Sequence, residues 1–503
     1  MSFANLSEFV HCLESRGRLV RVRGEVSTVF EITEIHRRLV AARGPSVLFE
    51  NVVTEHGPCG IPVLINLFGT LERVALGLGV DAPDGLRRIG ELLAFLRSPT
   101  PPESFKDLLT MVPMLRNVVA ARTRVVKKAP CHEVIMVGDD VDLHKLPIQT
   151  CWPGEPAPLI TWPLVVTRGP SLSREDNFNL GVYRMQVVGK NSTIMRWLRH
   201  RGGAQQYCRW VKEGRGDFPV AVVIGSDPAT LISAVAPIPD TISEYQFAGI
   251  LRKHPTELVE CVTVPLKVPA NAEIVLEGKV SADELLEEGP YGDHTGYYNS
   301  VEKFPKFTVQ AVTMRSSPLY MSTFTGRPPD ECSVLGEVLT ELLIPMLRLQ
   351  YPEITDFWLP PEGCSYRVAV VSIKKAYPGH ARRIIMGVLS YLRQFLYVKF
   401  VIVVDEDICV RDWKDIIWAL STRMDPARDT MVIERSPIDY LDFASPEEGL
   451  GSKVGFDATN KMYPETTRLW GVPLKMSEDI TERVTSRWAE YGFGDISNMP
   501  KSS

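Results

Sequence analysis

The spacing of apolar residues changes character at residue 333, and the stretches on either side of that point cannot share one architecture. Upstream, apolar residues fall in short runs bounded by glycine, proline and asparagine, the pattern of strands joined by turns. Runs at 134–137, 159–167, 180–188, 194–198, 219–224, 273–276, 307–314 and 319–323 predict strands, with Gly189-Lys190-Asn191 as a turn between two of them. So many strands with few helices predict a barrel or a two-layer sheet. Downstream, Val334, Leu335, Val338, Leu339, Leu342, Leu343 and Leu347 form a broad helical stripe, which Pro352 ends. Strands at 367–373, 400–404 and 430–433 then alternate with helices at 380–395 and 413–420. Such alternation predicts a mostly parallel sheet covered by helices.

A third region precedes these two. Leu6, Phe9, Val10 and Leu13 lie at helical spacing within 4–16, and Gly17 stops that helix. Strands near 18–22, 46–49 and 62–68 and helices near 31–42, 71–78 and 84–97 complete a small α/β unit. Ser98-Pro99-Thr100-Pro101-Pro102 ends it, because adjacent prolines cannot sit inside a helix. The basic stretch 122–128 opens the strand-rich middle. A chain of 503 residues exceeds what one core supports. The expected division is 1–118, 119–325 and 326–475, with a C-terminal helix and tail over 476–503.

Composition narrows the function. A formal net charge of −5 gives no overall attraction to nucleic acid. Nine scattered cysteines contain no C-x-x-C pair, so they read as reduced intracellular thiols rather than a zinc site. The N-terminus lacks a basic-then-apolar leader, and no run approaches a membrane span, so a cytoplasmic protein is expected. Serine-hydrolase, zinc-protease, Walker and Rossmann motifs are all missing.

Three polar constellations can carry chemistry. Glu288 and Asp293 flank Gly-Pro-Tyr-Gly on a turn-rich loop that continues through His294, Tyr297 and Tyr298. Paired acids suit proton transfer when their surroundings push their pKa values apart, and the bland alternative is a solvated surface loop. The second runs through Asn179, Val182, Tyr183 and Arg184 to Arg196, Trp197, Leu198, Arg199, His200, Arg201 and Gly202. Arginines followed by glycines can hold a phosphate, or the arginines can simply protect a sheet edge. In the third, Asp240 reads as a helix cap with Glu244 in the first turn. Glu244 can complement the helix dipole, or join Asn179 as an oxygen ligand for a hard divalent ion. The segment 423–429 reads as an interdomain salt-bridge knot.

Together these segments resemble the UbiD family, in its quinone-pathway branch. The likeness runs from Phe68-Gly69-Thr70 to Asp457-Ala458-Thr459-Asn460-Lys461 and is strongest at 179–184, 194–203, 288–298, 325–331, 359–366 and 423–430. It implies an N-terminal α/β domain, a central split β-barrel like that of flavin reductases, and a C-terminal α/β oligomerisation domain. It implies a carboxy-lyase that removes CO2 from 4-hydroxy-3-polyprenylbenzoate in ubiquinone biosynthesis. Naphthoates and unprenylated hydroxybenzoates are the alternative substrates, and a flavin reductase or cofactor-less scaffold the remote ones. The implied cofactor is prenylated FMN, delivered by a flavin prenyltransferase and bridged to the protein through Mn2+, with K+ nearby. Asn179, Glu244 and His200 match the metal-ligand positions, and Val182, Tyr183, Arg184, Arg196, Trp197, Leu198, Arg201, Gly202 and Lys399 the cofactor contacts. Arg184, Glu288 and Asp293 match the catalytic Arg–acid–acid set. Aspartate rather than glutamate at 293 favours a phenolic benzoate over an acrylic acid. A dimer or hexamer is implied, with the 478–488 helix packed on a neighbouring subunit. The polyprenyl tail implies peripheral contact with the inner face of the cell membrane.

Overall fold

The computed structural model describes residues 2–97, 121–171, 177–198, 201–239, 242–364, 366–391 and 393–492. The chain forms two compact units, Met1–Leu349 and Gln350–Ser503. Among the described residues no helix is long and apolar enough to cross a membrane.

The first unit opens with the helix Leu6–Ser15, capped by the Asn5 side chain on the Glu8 N–H. It buries Leu6, Phe9, Val10 and Leu13, the four residues at helical spacing. A mixed sheet follows in the order Leu19–Ser27, Ser46–Thr54, Val63–Ile65, Tyr320–Met321. The last of these strands returns from the far end of the unit, aligning Tyr320 with Val63 in parallel.

The middle of this unit is a closed barrel. The segment 159–168 pairs with 178–189 on one side, aligning Ile160 with Met185 and Val166 with Leu180. On its other side it pairs with Phe218–Ile224, which pairs with Ile274–Glu288. Ile274–Glu288 pairs with Glu302–Met314, and that strand with Ser192–Met195. Ser192–Met195 returns to 178–189 through Thr193 and Val187, and the ring is complete. Closure gives every segment of this ring a neighbour on both sides over part of its length. Val165, Met185, Phe218, Val222, Leu276 and Phe307 fill its core, each contributing about 1.5–3 kcal/mol by burial.

Two departures from the sequence reading matter for the site. The run 180–188 is two strands, Phe178–Val182 and Met185–Gly189, broken at Tyr183 and Arg184. The short runs at 273–276 and 307–314 belong to the long strands Ile274–Glu288 and Glu302–Met314, which project as a two-stranded arm that aligns Glu288 with Glu302. Polar residues on that arm hide the period that marks a strand.

The second unit carries a five-stranded sheet in the order Ile354–Trp358, Val368–Ile373, Phe400–Asp405, Leu450–Ala458, Thr430–Pro437. Its three central strands are parallel and its edge strands antiparallel. Leu450–Ala458 escapes a pattern search because it carries two glycines and a lysine. A Cβ on Gly455 would run into Ile385, which explains one of them. The expected interdomain knot is instead internal to this unit. Arg423 pairs with Asp405 at 2.9 Å and Asp407 at 2.6 Å, and Arg428 with Asp429 at 2.6 Å.

Candidate active site

The break at Tyr183–Arg184 frees one arginine from the barrel ladder to meet both acids. Arg184 Nε donates to Glu288 Oε1 at 2.8 Å, and Nη1 to Asp293 Oδ2 at 2.7 Å. Arg196, just past the end of its strand, donates through Nη1 to Glu288 Oε2 at 2.6 Å and lies 3.3 Å from Glu302. Glu288 is fully buried and Asp293 is 9% exposed, so the pair is no solvated loop. Nor is Arg196 a solvent-facing edge residue, since it too is buried. A carboxylate this deep is tolerated because charged donors face both of its oxygens.

Asp293 sits on a loop that is pinned at several points. The Tyr291 N–H donates to Asn299 Oδ1 at 2.7 Å, and the Asn299 N–H returns to the Tyr291 carbonyl at 2.9 Å. The buried Tyr291 ring lies under the Arg184 guanidinium, 5.4 Å from its centre. His294 hydrogen-bonds Asp293 Oδ1 through its ring and its backbone, both at 2.8 Å. Burial pushes the Asp293 carboxyl up, but the hydrogen bonds from His294 and the charges of Arg184 and His294 outweigh it. The carboxyl therefore lies below the ordinary aspartate range.

A second cluster gathers at the helix Gly202–Lys212, which the sequence reading missed because two glycines open it and its first turn is polar. Its N-cap, Arg201, supplies no capping side-chain hydrogen bond, while first-turn N–H groups have no acceptor within a helix. The Asn179 side chain lies against Gly202, where a Cβ would collide with Oδ1. The Gly203 N–H donates to the Tyr183 hydroxyl at 3.3 Å. Among the described residues, the buried Trp197 Nε1 beside Gly203 has no hydrogen-bond partner. Glu244 joins this group: its Oε2 accepts the Leu180 N–H at 3.1 Å, one residue from Asn179.

Glu244 opens its helix as expected, but the cap is Ser243 rather than Asp240. Ser243 accepts the Gln246 N–H while the Gln246 side chain accepts the Ser243 N–H, a reciprocal capping box. Asp240, Arg199 and His200 lie outside the described residues. Lys399 belongs to the second unit, where it pairs with Asp442 at 2.9 Å. Among the described residues no group of three or more His, Cys, Asp or Glu side chains converges as a metal site. The Asn179 amide oxygen and the Glu244 carboxylate nevertheless offer the oxygen donors a hard divalent ion takes. A helix N-terminus beside Arg201 and two glycines suits a phosphate. The residues present therefore fit a flavin phosphate together with a divalent ion.

Glu155 escaped the sequence reading altogether. It lies on the turn Trp152-Pro153-Gly154-Glu155 and hydrogen-bonds the Gly292 N–H, next to Asp293. The Pro-Gly pair marks the turn in the sequence, but nothing local marks its partner.

Three consecutive family models match the chain. They are the N-terminal domain of 3-octaprenyl-4-hydroxybenzoate carboxy-lyase at residues 10–93, its Rift-related domain at 123–328 and its C-terminal domain at 333–458. Among solved structures, the UbiD-class enzyme HmfF from Pelotomaculum thermopropionicum, in complex with FMN, is 30% identical. It covers 93% of this chain and 97% of its own, with a TM-score of 0.77. An evolved dimeric form of HmfF in complex with prenylated FMN matches at 30% identity over 94% of this chain and 97% of its own, TM-score 0.75. The vanillic acid decarboxylase of Sedimentibacter hydroxybenzoicus, in closed form, is 26% identical over 98% of this chain and all of its own, TM-score 0.81. On these matches, and on the barrel they share, the chain belongs to the UbiD family of carboxy-lyases.

Proposed function

We propose that this protein decarboxylates 4-hydroxy-3-polyprenylbenzoate to 2-polyprenylphenol with prenylated FMN, as a step of ubiquinone biosynthesis. The observation that carries the reading is the buried cluster in which Arg184 is shared by Glu288 and Asp293. When bound, the cofactor would supply an electron sink for the electrons left on the ring by the departing CO2. Arg184 binds the substrate carboxylate. That carboxylate competes with Asp293 for the guanidinium, and losing Arg184 removes a charge that keeps the Asp293 carboxyl low. Burial then favours its protonated form, so Asp293 takes up one proton from solvent and delivers it to the vacated ring carbon, returning to the carboxylate. Glu288 holds Arg184 and Arg196 in place throughout.

Asn179, Glu244 and His200 would hold Mn2+ (K+ is a second ion of the same proposal), and Arg201 and Gly202 would meet the flavin phosphate. Val182, Tyr183, Arg184, Arg196, Trp197 and Leu198 line the cofactor site. Glu244→Gln is expected to weaken metal and flavin retention together, since the ion loses its only carboxylate among these ligands. Full flavin absorbance and metal content after purification would contradict that role. Gly202→Ala drives a Cβ into Asn179 Oδ1, and its occupancy by flavin should fall several-fold, on the order of 1 kcal/mol. Full occupancy would mean that Asn179 does not serve the site.

Assembly into a homo-oligomer belongs to the same proposal, as does the division 1–118, 119–325, 326–475 and 476–503. Its support is the run of Leu469, Val472 and Leu474, which are 101%, 88% and 102% exposed in the single chain. The polyprenyl tail brings this cytoplasmic enzyme into passing contact with lipid. An unprenylated 4-hydroxybenzoate is the second reading, favoured by the 26% identity to vanillic acid decarboxylase. The test is co-expression with a flavin prenyltransferase, ligand mass analysis, and CO2 release from 4-hydroxybenzoates with and without a 3-prenyl tail. Prenylated FMN with tail-dependent turnover supports the first reading, and tail-independent turnover the second. Plain FMN that oxidises NAD(P)H would overturn both in favour of a flavin reductase.

A further inference from the structure

The turn Cys151-Trp152-Pro153-Gly154-Glu155 grips the loop that carries Asp293 from several directions. Glu155 Oε2 accepts the N–H groups of Cys151 at 2.7 Å and Trp152 at 3.0 Å, which closes the turn on itself. Its other oxygen, Oε1, leaves the turn and accepts the Gly292 N–H at 3.3 Å. Gly292 immediately precedes Asp293. The Trp152 indole occupies the space a side chain at 292 would need, so this position admits only glycine. Trp152 Nε1 donates to the Thr325 carbonyl at 2.9 Å, and Thr325 Oγ1 donates to the Gly292 carbonyl at 2.9 Å. The far end of the loop is tied as well, with the Gly154 N–H donating to the Tyr298 hydroxyl at 3.0 Å.

We infer that Glu155 is a positioning residue for the reaction, holding the backbone before Asp293 so that the acid stands at a fixed point beside Arg184. This rests on the reading of Asp293 as the proton donor. Two local N–H bonds would suffice to close a turn, and neither needs a second carboxylate oxygen. The bond to Gly292 is the one the turn does not need. Keeping a carboxylate here is also costly: burial pushes it up to about 7, against the pull of its three N–H donors and of the Arg184 charge. A residue that only shaped a turn would not have to carry that cost.

The test uses full-length Glu155→Gln and Glu155→Ala proteins, compared with wild type. A glutamine keeps one acceptor oxygen, so it holds either its own turn or Gly292 but not both. Glu155→Ala loses both and serves as the more severe variant. In the flavin-loaded Glu155→Gln protein kcat should fall by about 10- to 100-fold, the scale of a small misplacement of a catalytic group. KM and flavin content should stay within about twofold of wild type, because Glu288 still holds Arg184 and the helix at 202 keeps its own partners. In protein free of flavin, amide exchange over 289–298 should speed up by about tenfold or more, with the barrel strand Phe218–Ile224 unchanged. An unchanged kcat with unchanged exchange in the loop overturns the inference. So does uniformly faster exchange with loss of flavin, which would mark a general structural role. Wild-type protein that releases no CO2 from any aromatic acid would defeat the proposed function, while the exchange result would still decide whether Glu155 holds the loop.

Discussion

In flavin-loaded Asp293→Asn protein, decarboxylation is expected to fall by about 100- to 10,000-fold while the flavin is retained. The amide keeps the size of the side chain and one acceptor oxygen, which can meet either Arg184 or the His294 N–H but not both, and it has no proton of suitable acidity to give. A single-turnover experiment in deuterium oxide separates the steps: CO2 release should be less impaired than appearance of the deuterated phenol. Near-wild-type turnover would remove Asp293 from the reaction. The same variant should also change acid stability. Because the folded carboxyl is depressed, the stability it contributes is complete above the unfolded value of about 3.9 and is lost as pH falls through the folded value. Asp293→Asn should flatten the acid limb of a plot of melting temperature against pH. An unaltered acid limb would mean that Arg184 and His294 do not hold this group ionised.

Glu288→Gln is expected to give the second large effect, on stability and turnover together. Glu288 is a fully buried acid that takes hydrogen bonds from Arg184 and Arg196, and an amide can accept from only one of them. Removing one member of a buried ionic cluster typically costs about 3–5 kcal/mol, because the charges left behind are uncompensated. Turnover should fall as well, since Arg184 then leans on Asp293 alone. A Glu288→Gln/Arg196→Met double variant tests the cause. If uncompensated charge is the source of the loss, the second change should recover much of the melting temperature without restoring turnover. A single variant with wild-type melting and wild-type rate would show that the cluster is ornamental.

Both predictions depend on contacts that local pattern could not display. The helix Leu6–Ser15, the parallel centre of the second sheet and the strand-rich middle were legible because each buries one face repeatedly, and burial leaves a period in the chain. Arg184, Glu288 and Asp293 were legible as residue types on turn-rich segments, and the family resemblance gave them roles. Their meeting was not. Arg184 lies 104 positions from Glu288, and whether such residues touch is decided by barrel closure and by the strand break at Tyr183. The sequence reading also missed the helix Gly202–Lys212, since its opening glycines suggest a loop until the rest of the barrel packs against them. Glu155 shows the limit most plainly. A glutamate after Pro-Gly reads as a turn residue, and its bond to Gly292 spans 137 positions. The sequence by itself determined the class of fold, the order of its regions and the chemical types at the site, because those follow from short-range periodicity and residue chemistry. Only the tertiary structure decided which charges share Arg184 and what holds Asp293 still, because those contacts join segments that meet only when the barrel closes.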